Sequence, residues 1–221
     1  MPSSSPRNVS DVERVLAALR EVEARAGLKR QIPLHAIIET HGAVRQAWQI
    51  AALPGVETLD FGLMDFVSAH HGALPASCMK SPGQFDHPLL ARAKVETSAA
   101  ALAHAVVPSH NVSVEFEDLA QVEADARRAR EEFGYLRMWS IHPAQIDPIL
   151  RAMRPNEPDI AEAARIIEAA QDAEWGPTRQ GSRLHDRASY RYYWDLLKRA
   201  HATGATLPES AVKRFFASES D

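Results

Sequence analysis

PLHAIIETHG, residues 33–42, is the stretch that decides the fold of this chain. Its apolar centre predicts a buried β-strand that ends at Glu39. A second stretch, VETLDFGLMDF at residues 56–66, has the same form and predicts a strand that carries Asp65 at its tip. A predicted helix over residues 43–52 separates the two, so we expect consecutive strands of one parallel α/β sheet.

Both predicted strands end in an acidic side chain. Because parallel strands end at the same rim of a sheet or barrel, Glu39 and Asp65 are expected to lie side by side there. Two carboxylates are the smallest set of protein ligands for Mg²⁺, which keeps waters and takes further ligands from a substrate. The alternative is that Glu39 caps, or forms an ion pair with, the helix that follows it. The spacing leaves both interpretations open.

The composition is that of an ordinary globular protein. The chain has 221 residues, 45% of them hydrophobic and 24% charged; it is long enough for one sizeable core and fits a single domain better than two. A net charge of −4 gives no reason to expect nucleic acid or an anionic membrane surface as a partner. A single cysteine, Cys78, excludes an intramolecular disulfide and fits a reducing cytoplasm. No stretch approaches the ~18 consecutive apolar residues of a membrane span, so we expect a soluble, cytoplasmic protein.

The order of predicted elements is one helix followed by four strand–helix units. The first helix covers Asp11–Ala26, with Ser10 as its N-cap. Beyond Pro155 the pattern becomes helical and predicts no further strand. The predicted division is a disordered lead-in over residues 1–9, an α/β domain over residues 10–155 and a helical C-terminal subdomain over residues 156–221.

Four strand–helix units are half of a (β/α)₈ barrel, which usually needs ~250 residues. The chain is therefore expected to form either an open α/β sheet or the second half of such a barrel.

Four segments, in order, resemble the HpcH/HpaI aldolase and citrate lyase β-subunit family, a group of CoA-thioester lyases. They cover residues 34–187, most of the chain, and four matches in the family's order are more specific than any one of them. The segments are IIET at residues 37–40, FGLMDF at 61–66, SIHPAQI at 140–146 and GSRLHDR at 181–187.

The resemblance implies Mg²⁺ as the cofactor, with Glu39 and Asp65 as its ligands. Asp60 is a competing carboxylate, but it precedes Gly62 and is expected within the strand. The histidines near the predicted rim, His70, His71 and His110, are interpreted as rim or core residues, since Mg²⁺ prefers oxygen ligands.

Two further segments acquire roles through the resemblance. Ser140, Ile141, His142 and Pro143 match an element that lies near the CoA-binding mouth of the barrel in the family. His142 is either a general base or, with Ser140, a residue that shapes the loop.

Asp186 matches an aspartate that acts as a general acid/base, in several lyases from a neighbouring subunit. His185 departs from the family, which commonly has an apolar residue there. The alternative is that Asp186 caps the helix that begins near Ser189.

The function implied is that of a Mg²⁺-dependent carbon–carbon lyase acting on an acyl-CoA or a small oxo acid, in a homo-oligomer. The family's first barrel half carries an acidic strand, a substrate-binding arginine and a strand ending in Pro-Lys, and no counterpart occurs in this sequence. The resemblance therefore covers only the second half of the barrel. The alternative function is a truncated, non-catalytic half-barrel that retains the metal ligands.

Overall fold

The computed structural model describes residues 6–217, so residues 1–5 of the predicted lead-in lie outside the described part of the chain. Helix α1 covers Val9–Ala26 and begins earlier than predicted. Its N-cap is Asn8 and not Ser10, because the Asn8 side chain accepts the backbone N–H of Asp11. The helix ends at Gly27, whose positive φ of 65° closes its last turn.

Parallel strands alternate with helices in the first two thirds of the chain. The strands of this part are β1 (Leu34–Ile38), β2 (Val56–Phe61), β3 (Val107–His110) and β4 (Arg137–Met138). The helices are α2 (His41–Arg45), α3 (Ala47–Ala51), α4 (Leu63–Ser68), α5 (Gly83–Asp86), α6 (Pro88–Ala103), α7 (Leu119–Phe133) and α8 (Ile146–Met153), with 3₁₀ turns at Ala76–Met79 and Pro143–Gln145. The predicted mixed α/β fold is confirmed.

The four strands form one parallel sheet in the sequential order β1-β2-β3-β4. Side chains alternate between its two faces. One face contributes Ala36, Ile38 and Leu59 to a hydrophobic core that also contains residues of helices α2 to α8. Asp60 lies beside Ile37 in the register between β1 and β2, on the opposite face.

Two helices of this part differ from their predicted bounds. The helix predicted over residues 43–52 is two short helices, α2 and α3, separated at Gln46. The polar stretch of residues 116–133 also predicts a helix, but helix α7 begins at Leu119, because the side chain of Asp118 accepts the backbone N–H of Gln121 and caps it there.

The last third of the chain is not purely helical, so the prediction of no further strand is wrong. Between α9 (Glu157–Asp172) and α10 (Arg187–Ala202) lies an antiparallel hairpin of β5 (Thr178–Gln180) and β6 (Arg183–His185). Gly181, with φ of 57°, takes the left-handed conformation that so tight a turn requires. The short helix α11 (Glu209–Ala211) and a π-helical turn (Val212–Phe216) follow.

The chain divides into two compact units, Met1–Met153 and Arg154–Asp221. Each has its own hydrophobic core, built in the second unit from α9, α10 and the residues after them. The assignment of residues 10–155 and 156–221 to separate domains stays a prediction. Within residues 6–217, no helix is long and apolar enough to cross a membrane.

Candidate functional site

Glu39 follows the last residue of β1 directly and is buried, with 8% of its surface exposed. The N-cap of the following helix α2 is Thr40, whose Oγ1 accepts the backbone N–H of Ala43 at 3.1 Å. The interpretation of Glu39 as the cap of that helix is therefore wrong. Glu39 itself lies at the C-terminal end of the strand, before the cap.

Asp65 does not lie at the tip of β2, as the sequence predicted. The strand ends at Phe61, Gly62 is the N-cap of α4, and Asp65 lies in the first turn of that helix, where it is exposed. A carboxylate is favoured in a first helical turn because the free backbone N–H groups give that end of the helix a partial positive charge.

Glu39 and Asp65 interact with each other. Burial raises the pKa of Glu39 to about 7, and the nearby charge of Asp65 contributes to the increase. The space between the strand ends depends on Gly62, because a Cβ atom at this position would overlap the side chain of Glu39. The geometry therefore brings together two mutually repelling carboxyl groups beside a residue that has no side chain.

This donor set fits Mg²⁺. Both carboxylates are hard oxygen ligands, and a divalent cation between them would offset their repulsion. Across residues 6–217 there is no group of three or more His, Cys, Asp or Glu side chains that could hold a metal ion. The remaining ligands of a Mg²⁺ ion held by Glu39 and Asp65 would therefore be waters or substrate oxygens.

Asp60 lies within β2, as predicted, and is 1% exposed. Its carboxylate accepts hydrogen bonds from Thr58 Oγ1 at 2.8 Å and from Trp139 Nε1 at 2.6 Å. Its charge is thus stabilised by local donors, and Asp65, not Asp60, is the carboxylate that raises the pKa of Glu39.

The segment Ser140–Pro143 forms an exposed loop directly after β4 and Trp139. Ser140 Oγ donates to the carbonyl oxygen of His142 at 2.8 Å, and His142 Nδ1 accepts the backbone N–H of Ala144 at 3.2 Å. These contacts match the interpretation that Ser140 and His142 shape the loop.

Asp186 lies in the second unit and is the N-cap of α10. Its side chain accepts the backbone N–H of Ala188 at 2.9 Å, and Ser189 Oγ accepts the backbone N–H of Asp186 at 3.2 Å, which completes a capping box. The alternative in which Asp186 caps a helix is therefore correct. Because the residue is exposed, the cap leaves room for a second role in proton transfer.

The histidines of the rim make structural contacts. His110 is fully buried at the end of β3, and burial holds its pKa well below its usual range. His70 Nδ1 lies 2.7 Å from the carbonyl oxygen of Phe66.

Sequence reasoning missed the partner of His110. Lys94 on α6 is also completely buried, with its Nζ 2.6 Å from His110 Nε2 and in hydrogen-bonding contact with Asn111 Oδ1. The rings of Phe61 and Phe85 flank this amine, with centroids 4.9 Å away. Burial holds the pKa of Lys94 well below its usual range. No pattern of spacing identifies such a pair, because the lysine comes from a helix and the histidine from a strand.

The curated proteins to which the chain is similar are L-malyl-CoA/β-methylmalyl-CoA lyases. The chain is 26% identical over 207 residues to the L-malyl-CoA/β-methylmalyl-CoA lyase of Rhodobacter capsulatus, a match that covers 86% of this chain and 64% of that protein. A similar match, also at 26% identity, is to the corresponding lyase of Cereibacter sphaeroides. The chain thus spans less than two thirds of the length of these curated relatives. No protein-family model matches the chain.

Among solved structures, a citrate lyase from Burkholderia xenovorans LB400 is 54% identical, with a TM-score of 0.86, and the match covers 96% of this chain and 66% of that one. The protein CitE from Mycobacterium tuberculosis, solved in complex with magnesium, acetoacetate and coenzyme A, has the same fold. It is 22% identical, with a TM-score of 0.63, and the match covers 82% of this chain and 73% of that one.

Proposed function

Because the chain is a homologue of malyl-CoA lyases and of citrate lyase β-subunit-like proteins, the group that its motifs resemble, we propose that it takes part in Mg²⁺-dependent carbon–carbon bond cleavage. The substrate proposed is a CoA thioester or a small 2-oxo or 2-hydroxy acid. The observation that carries the proposal is the pair of Glu39 and Asp65, whose carboxyl groups interact at the end of β1.

Mg²⁺ held by these two carboxylates would act as a Lewis acid toward the oxygens of a 2-oxo or 2-hydroxy acid and stabilise negative charge that develops in cleavage. Glu39 must be ionised to serve as a ligand, and a cation beside it would favour that form. Gly62 keeps the space beside its carboxylate open.

The other residues proposed for the site bind substrate and move a proton. The exposed loop Ser140–Pro143 would contact the CoA portion of the substrate. Asp186 would transfer a proton to or from the carbon that becomes the methyl group of acetyl-CoA, from a neighbouring subunit in a homo-oligomer. Asp186 is the N-cap of α10 and is exposed, so its carboxylate is accessible from solvent.

We propose further that the four-stranded sheet is the second half of a (β/α) barrel. Its strands follow the order β1-β2-β3-β4 without a reversal, as in a barrel, whereas a doubly wound sheet reverses its strand order at a switch point.

The experiment that tests the proposal is calorimetric titration of Mg²⁺ with oxalate, a stand-in for the enolate of a 2-oxo acid, into the 221-residue chain. We expect saturable binding that Glu39→Gln abolishes, because a single carboxylate holds Mg²⁺ poorly. Glu131→Gln makes the same chemical change at an exposed residue of α7 and is expected to bind as the unmodified chain does. A folded chain that binds no Mg²⁺ with oxalate would contradict the proposal.

A specific observation favours a second candidate. Within the described residues, β1 and β4 are the edges of the sheet and neither is paired on its outer side. Natural proteins usually protect such edges. The second candidate is therefore a non-catalytic half-barrel that keeps the metal ligands, and it predicts metal binding without turnover of any CoA thioester.

A further inference from the structure

Asp60 is a buried carboxylate that the proposed reaction does not use. It projects from the sheet face opposite the helices, and its two hydrogen bonds come from Thr58 and from the indole of Trp139. The ring of His35 lies beside it, with Nδ1 3.7 Å from Asp60 Oδ2. A hydrogen bond to a buried, ionised acceptor is stronger than one between neutral groups, so the bond of 2.6 Å to Trp139 is a major restraint.

The Asp60–Trp139 bond crosses the sheet. Asp60 belongs to β2, whereas Trp139 follows β4, and β3 lies between these two strands. At one end, the bond holds the strand that leads into Gly62 and Asp65. At the other end, it holds the residue directly before the loop Ser140–Pro143. The bond therefore links the strand before the carboxylate pair to the loop. It reaches across β3, whereas a backbone hydrogen bond joins only neighbouring strands.

The far end of the same loop is held by Gln145, whose side chain is completely buried. Its amide nitrogen donates to the carbonyl oxygens of Ser113 at 3.0 Å and Glu115 at 2.8 Å. Its amide oxygen accepts the backbone N–H of Ile141 at 3.1 Å. The loop is thus fixed on both sides by buried polar side chains, although its own residues are exposed.

We propose that Asp60 and Trp139 are a positioning pair, which holds the loop Ser140–Pro143 at a defined distance from Glu39 and Asp65. The effect of this pair on ligand binding rests on the proposed function, whereas its effect on the loop does not. Neither residue contacts the reacting atoms. Their role is to keep the metal-binding end of the site and the substrate-binding loop in register.

The test compares two Trp→Phe variants. Trp139→Phe removes the indole donor to Asp60 and keeps an aromatic ring. Trp48→Phe is the matched control, because Trp48 Nε1 donates to the half-buried carboxylate Glu96 Oε1 at 2.7 Å between α3 and α6, away from the loop. Amide hydrogen exchange of residues 140–145 is expected to accelerate about tenfold in Trp139→Phe, the size of one charge-assisted hydrogen bond. The control is expected to leave this exchange unchanged.

A second variant, Asp60→Asn, keeps the proposal testable if Trp139→Phe does not fold. Asp60→Asn keeps an acceptor oxygen for the indole but removes the charge, so we expect an intermediate acceleration of loop exchange. If the two residues act as a pair, the double variant Asp60→Asn/Trp139→Phe exchanges no faster than Trp139→Phe alone.

Ligand binding separates positioning from general destabilisation. In Trp139→Phe, calorimetry should give a Mg²⁺–oxalate affinity within about twofold of the unmodified chain, while acetyl-CoA binding weakens about tenfold. Unchanged loop exchange in both Trp139→Phe and Asp60→Asn would overturn the proposal. An equal loss of Mg²⁺ and acetyl-CoA binding would overturn the positioning role. Faster loop exchange in a chain that binds neither ligand would support the pair and contradict the proposed function instead.

Discussion

At the scale of the residue, the site depends on how closely Glu39 lies to Asp65. Burial and the neighbouring carboxylate both disfavour the charged form of Glu39, and together they raise its pKa to about 7. An ionised Glu39 is therefore costly in the metal-free protein, and a bound divalent cation would offset that cost. Two of our predictions follow from this contact.

The first prediction concerns the pH dependence of stability. A carboxyl group whose pKa is raised from 4.5 to about 7 stabilises the folded state fully below pH 4.5, and this contribution is lost as the pH rises through about 7. Glu39→Gln lacks the titration. In EDTA, the variant should gain stability relative to the unmodified chain between pH 4.5 and 8, by on the order of 1–3 kcal/mol. Urea unfolding at several pH values measures the difference.

Glu131→Gln, the same chemical change at an exposed residue of α7, serves as the control. Added Mg²⁺ at pH 8 should stabilise the unmodified chain and not Glu39→Gln, because the ion binds only the folded state. A stability difference between Glu39→Gln and the unmodified chain that stays constant from pH 4.5 to 8 would contradict the raised pKa.

The second prediction concerns Gly62. In Gly62→Ala the new methyl group would overlap the side chain of Glu39 and displace its carboxylate from the pair. We expect Mg²⁺–oxalate affinity to fall at least about tenfold, since a ligand moved by an ångström no longer meets the strict geometry of Mg²⁺. Gly176→Ala, where the methyl group meets only the carbonyl oxygen of Ala173 at 3.1 Å, should bind normally. If Gly62→Ala bound Mg²⁺ with oxalate as tightly as the unmodified chain does, the methyl group would not displace the Glu39 carboxylate from the ion, and the prediction would be wrong.

At the scale of the element, helix N-termini determine which polar side chains are used as caps. Thr40, and not Glu39, caps α2, while Asp186 caps α10 and is also the residue proposed for proton transfer. Asparagine caps a helix about as well as aspartate, whereas alanine does not. The two substitutions of Asp186 therefore separate the structural role from the chemical one.

The third prediction uses this difference. Asp186→Ala should lower the free energy of unfolding by about 1 kcal/mol, and Asp186→Asn should change it by less than about half of that. If Asp186 is the general acid/base, both variants lose turnover of a CoA thioester although only one loses stability. Urea unfolding and a lyase assay on the same preparations test this. Asp186→Asn with full turnover would restrict the residue to its capping role.

At the scale of the whole molecule, the sheet ends in two strands that are unpaired on their outer sides in the described part of the chain. Edge strands associate readily, and charged side chains on them oppose association. β1 presents Ile37, half-buried, on the sheet face opposite the helices. We therefore expect the 221-residue chain to self-associate through this strand.

The fourth prediction is that Ile37→Lys shifts the chain towards monomer, by at least about tenfold in dissociation constant, because a charge at an interface must be desolvated. Val95→Lys on α6 introduces the same charge at a position that is 49% exposed and should not change association. Sedimentation velocity over a range of concentrations measures both, with circular dichroism to verify folding. A monomeric unmodified chain would contradict the prediction.

Most of the correct predictions came from short stretches of residues that are adjacent in the sequence. The strands β1 and β2 are short apolar runs bounded by turn residues, so their presence and the position of Glu39 followed from the sequence alone. The N-cap of α1 and the first-turn position of Asp65 were missed. Competing caps lie only one to three residues apart, and the choice depends on which side chain reaches a free N–H group. The hairpin of β5 and β6 was missed although Gly181-Ser182 is a turn signal, because its three-residue strands show no clear alternation.

The sequence by itself determined the parallel α/β fold class, the family that the chain resembles and the placement of Glu39 at a strand end. All three follow from local hydrophobic periodicity and from short motifs. Only the tertiary structure decided which buried polar groups meet. The carboxylate of Asp60 receives the indole of Trp139, which is 79 residues away in the chain, and Lys94 meets His110 from a different element. A buried polar group takes whichever partner the packing of helices and strands brings within hydrogen-bonding distance, and no local pattern encodes that partner.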